Sequence, residues 1–74
     1  MNLQKTKIRL EKKIRMLKVA ADNWSQIQLE ACRENNGSKV IRSIIEIDEL
    51  IEKKDKLIDQ LIRVLTIQEK INQI

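Results

Sequence analysis

The chain has no proline, histidine, tyrosine or phenylalanine, and only one glycine, one cysteine and one tryptophan in 74 residues. Each scarcity removes a class of protein. Without Pro/Gly turns, nothing punctuates the short strands of a β-sandwich or barrel. A lone cysteine builds no disulfide framework, and without histidine it offers no transition-metal ligand set. No run of about 18 apolar residues occurs, so the sequence predicts no membrane span. The basic N-terminus lacks the apolar stretch of a signal peptide, which points to the cytoplasm. The abundance of Ile and Lys fits a bacterial or phage-infected cell. What is present is 42 % hydrophobic and 35 % charged residues with a net charge of +4. That is too much Ile and Leu for a disordered tail.

The strongest punctuation is Asn35-Asn36-Gly37-Ser38, at the middle of the chain. Gly37 suits the left-handed position that ends a helix, and Asn36 tolerates the same region. Ser38 is a good N-cap for a following helix, although Ile41 stands where Glu or Gln would complete a capping box. The expected fold is therefore all-α, a single antiparallel two-helix hairpin over residues 1–74. Helix 1 is expected at about 3–35, the turn at 35–38 and helix 2 at about 38–72. A loop this short permits only an antiparallel, coiled-coil-like pair.

Helix 2 carries a heptad pattern. Position a holds Val40, Ile47, Lys54, Leu61 and Gln68; d holds Ser43, Leu50, Leu57, Val64 and Ile71; e holds Ile44, Ile51, Ile58, Leu65 and Asn72. An a/d/e stripe is wider than one partner helix covers. Ile41, Ile45, Ile62, Ile67 and Ile74 lie off it, either as scattered surface apolars or as a second contact surface. The pairs Glu49–Lys53, Glu52–Lys56 and Asp59–Arg63 have favourable i,i+4 order.

Helix 1 repeats at seven through Leu3, Leu10, Leu17, Trp24 and Ala31. Ile14 and Ala21 lie four residues beyond members of that row, and Ala20 and Ile27 extend it. Folding about the turn juxtaposes residues whose numbers sum to about 73, so Trp24 is expected opposite Leu50 and Ala20 near Lys54. Trp24 reads as the main core anchor. The core and assembly set is Leu10, Leu17, Trp24, Ile47, Leu50, Leu57 and Leu61. A hairpin of this size needs extra support, and with no metal or disulfide available, oligomerisation into a four-helix bundle is the remaining route. Lys54 and Gln68 at a positions either specify register in such a bundle or snorkel to water.

Candidate chemistry is sparse. Residues 1–18 carry seven basic residues against Glu11 alone, a net +6, whereas residues 39–74 are balanced. Lys5, Arg9, Lys12, Lys13 and Arg15 could contact nucleic acid or an acidic partner, or form a solvated face. No aromatic is interleaved for base stacking and no Gly-rich phosphate loop exists. Glu46, Asp48, Glu49, Glu52, Asp55 and Asp59 form an acidic band, but no histidine, tyrosine or pocket-forming loop completes an acid–base site. Cys32 has no histidine to activate it and reads as a small semi-buried core residue.

Two resemblances bear on function. The helix-1 pattern, the small polar loop, the run Lys39-Val40-Ile41-Arg42-Ser43-Ile44-Ile45-Glu46-Ile47-Asp48-Glu49-Leu50-Ile51 and the stretch Asp55-Lys56-Leu57-Ile58-Asp59-Gln60-Leu61-Ile62 resemble the N-terminal helical hairpin of phage late-gene regulators of the ArpU/RinA type. In those, a DNA-binding helix-turn-helix follows; the resemblance covers residues 8–74 and implies the assembly half. Glu46-Ile47-Asp48-Glu49-Leu50-Ile51 is also similar to part of the signature of Spo0E-like small hairpins, which act on a phosphorylated response regulator. That resemblance implies a role for Asp48, but Ile44-Ile45 stands where a Ser-Gln pair is expected.

The functional expectation is a small non-enzymatic protein–protein interaction and oligomerisation module without cofactor or metal, a phage or mobile-element regulatory factor. It would bind itself and another protein through Ile41, Ile45, Ile62 and the basic end of helix 1, with no membrane involved. The alternatives are a basic nucleic-acid-binding accessory protein or a Spo0E-like phosphatase.

Overall fold

The computed structural model describes residues 2–72. It shows an all-α antiparallel hairpin of α1 (Leu3–Arg33) and α2 (Gly37–Asn72), packed against each other along their length. Asn2 caps α1: its Oδ1 accepts from the backbone N–H groups of Gln4 (3.0 Å) and Lys5 (3.2 Å), two of the orphan donors of the first turn.

The turn lies where the sequence places it, but its residues have different roles. α1 stops at Arg33, two residues before the expected end. Asn35, not Gly37, adopts the left-handed conformation, with φ 56°, and Gly37 has no positive φ. The N–H of Asn36 donates to the carbonyl of Ala31 (2.9 Å), and that of Asn35 to Cys32 (3.2 Å). These are the two bonds of a Schellman motif. Asn36 then begins α2. Its Oδ1 accepts from the Lys39 N–H (3.2 Å), and its carbonyl from Val40 (3.1 Å). Asn36 is thus the N-cap expected of Ser38, and Gly37 is the first helical residue.

The seam follows the heptads. On α2 every a and d residue from Val40 to Gln68 is buried or half-buried. On α1 the same holds for Leu3, Leu10, Leu17, Trp24 and Ala31, and for Ile14 and Ala21. Near the turn the seam is lined by small side chains, and Ala31 and Ser43 are both 0 % exposed. The Ser43 hydroxyl donates to the Val40 carbonyl at 2.7 Å, which satisfies it within its own helix. Leu10 and Val64 are buried in the other half of the hairpin. Trp24 is half-buried, so it lines the seam without being its most enclosed residue. At the open end, the Gln68 amide donates to Gln4 Oε1 at 3.5 Å, across the two helices.

Two other expectations change. Ion pairs join Lys7 to Glu11 (3.9 Å) and Arg42 to Glu46 (3.8 Å); the pairs expected at 49–53, 52–56 and 59–63 do not close among the described residues. Cys32 is exposed, because it lies about 100° round α1 from the seam residue Ala31.

Candidate interaction site

A single partner helix covers the a/d seam and leaves the e row of α2 open. Ile44, Ile51 and Leu65 at e are exposed, and Ile58 is half-buried. At 100° per residue, the next row beyond e is b, which holds Ile41 and Ile62. These rows interleave as Ile41, Ile44, Asp48, Ile51, Asp55, Ile58, Ile62 and Leu65, a second helical stripe with the same three-four spacing as the buried one. Ile45 lies beside it. Over 24 residues at about 1.5 Å each the stripe is roughly 36 Å long. Its upper part forms a shallow groove beside α1, lined by Gln28, Ile44, Ile45, Ile47, Asp48 and Ile51.

Ile41, Ile45 and Ile62, the sequence's candidate partner contacts, all lie exposed on or beside this stripe. Ile44, Ile51 and Leu65 belong to it too, although their heptad position groups them with the core. The signal for them was the width of the a/d/e stripe itself. Ile67 and Ile71 are exposed elsewhere on α2, and Ile74 lies outside the described residues. The assembly residues Leu10, Leu17, Trp24, Ile47, Leu50, Leu57 and Leu61 all lie in the seam, Leu10 buried and the rest half-buried.

Lys5, Arg9, Lys12, Lys13 and Arg15 are exposed. The fold enlarges this basic surface. Lys13 shares an inter-helix groove with Lys53 and Lys56 of α2, over a floor of Met16, Leu17 and Leu57. Folding about the turn sets Gln60 opposite Lys13, and Lys56 and Lys53 lie about one and two turns from it along the same groove. The acidic band is solvent-facing at Asp48, Glu49, Glu52, Asp55 and Asp59, with Glu46 half-buried beside Arg42. Among the described residues, no three acidic or cysteine side chains gather in a metal-sized cluster, and no helix is long and apolar enough to cross a membrane. No protein-family model, curated protein or solved structure matches the chain.

Proposed function

We propose that this hairpin is a non-enzymatic protein–protein interaction module that assembles with itself into a helical bundle and serves as a small cytoplasmic phage or mobile-element regulatory factor by binding another protein. One observation carries the interaction reading: α2 keeps a second apolar stripe, Ile41 to Leu65, uncovered. Scattered surface leucines need no explanation, but exposed isoleucines recurring at helical spacing over this length, with Asp48 and Asp55 among them, mark a contact surface. The regulatory role is supported by the resemblance of residues 8–74 to the hairpins of phage late-gene regulators. In equilibrium sedimentation, the wild-type chain is expected to associate at micromolar concentration. The variants Ile44→Glu and Ile51→Glu are expected to lose that association while keeping their helix content. Association unchanged in both variants would remove the stripe from the function.

The exposed bases at Lys5, Arg9, Lys12, Lys13 and Arg15, with Lys53 and Lys56 adjoining, favour a second reading, nucleic-acid binding. It requires an affinity for DNA or RNA that falls steeply as salt rises.

A further inference from the structure

Resting on that reading, we infer that the exposed stripe of α2 receives the outer face of α1 from a second copy of this chain. The observation is a repeat of spacing with inverted charge. Lys5, Ile8, Arg9, Lys12 and Val19 are exposed together on the side of α1 turned away from the seam. On α2, forty-three positions later, Asp48, Ile51, Glu52, Asp55 and Ile62 have the same spacing and are also exposed. When the two faces are laid parallel, the central rows pair Lys5 with Asp48, Lys12 with Asp55 and Val19 with Ile62. Arg9 and Ile51 then share one flank of the contact, and Ile8 and Glu52 the other. Within one hairpin these faces cannot touch, because that of α1 points away from α2. The contact is therefore between copies.

Two further arguments favour this occupant. Pairing α2 with α2 would set Asp48, Glu52 and Asp55 against the same acids of the other copy, and like charges across an interface are strongly disfavoured. The chain also has surface to cover. Its accessible area is 6000 Å², whereas a compact protein of 8.7 kDa exposes about 4700 Å². The excess of roughly 1300 Å² per chain exceeds the about 800 Å² that each partner contributes to a standard specific interface. Because the contact joins two different patches, it either closes into a ring or continues to further copies.

The test compares K5E/K12E, D48K/D55K and D48N/D55N with the wild type by equilibrium sedimentation, with helix content followed by circular dichroism. Each charge reversal alone is expected to weaken association about tenfold or more. An equimolar mixture of K5E/K12E with D48K/D55K is expected to restore it, since both contacts are then complementary again. The neutral D48N/D55N variant is expected to associate more weakly than wild type. Association that survives both reversals, fails to return in the mixture or strengthens in D48N/D55N would overturn the inference, as would a monomeric wild type. The strengthened D48N/D55N would indicate α2 packed on α2. Ile51→Glu separates the two claims. If it still dissolves a charge-insensitive assembly, the interaction reading stands and only the α1–α2 pairing fails; if it leaves assembly intact, the interaction reading fails as well.

Discussion

Asn35, Asn36 and Gly37 divide the work of the turn in a way that makes Gly37 dispensable. It is helical at the start of α2, and a Cβ built on it meets nothing within 4 Å. Gly37→Ala is expected to raise stability by about 0.4–1 kcal/mol, chiefly by restricting the unfolded chain. Asn36→Ala is expected to cost about 1 kcal/mol, because it strips the cap from α2. Urea unfolding of both variants checks the pair of signs. The sequence located the turn to within these residues but not their roles. Asn serves at a left-handed C-terminal position and at an N-cap alike, so residue type alone does not choose between Asn35 and Gly37, or between Asn36 and Ser38. Ser43 shows a similar ambiguity. It is a polar residue in the d row, yet it is fully buried, with its hydroxyl satisfied by the Val40 carbonyl. Ser43→Leu is expected to cost about 1–3 kcal/mol by overpacking, and Ser43→Ala less than about 0.5 kcal/mol. Thermal melts distinguish these outcomes.

At the scale of the helices, burial alternates with the heptad and sets which substitutions matter. Leu10→Ala, at one of the most enclosed sites, is expected to cost about 2–4 kcal/mol, and Met16→Ala on the open side less than about 0.5 kcal/mol. Trp24→Ala is expected to fall between them, at about 2 kcal/mol, below the cost for a fully enclosed indole. Chemical denaturation of the three variants gives the order directly. The two ion pairs are exposed i,i+4 contacts worth a few tenths of a kcal/mol each, so whether such pairs close has little effect on the fold. Both helices and the rows of the seam were legible in the periodicity of Leu, Ile and Val. The fate of the e row was not, because periodicity gives the width of an apolar stripe and not how much of it one partner covers. Ile44 and Ile51 therefore belong to the wide apolar stripe in the sequence and to the surface in the hairpin.

For the molecule as a whole, the hairpin is a rod of 59 × 16 × 14 Å with a radius of gyration of 17.0 Å. A compact chain of this length would have about 11 Å. Among the described residues only Leu10, Ala31, Ser43 and Val64 are buried, while twelve large apolar side chains are 42–63 % exposed. Such a molecule has little interior of its own, and a single core of this size contributes only a few kcal/mol of stability. Under the proposed self-assembly its folding equilibrium is tied to association, and stability depends on protein concentration by mass action. The most direct measurement is thermal unfolding of the wild-type chain by circular dichroism over a hundredfold range of concentration. Self-assembly predicts a Tm that rises steadily with concentration. A Tm that stays constant across the range would show a hairpin that folds without a second copy, and would contradict the proposed self-assembly.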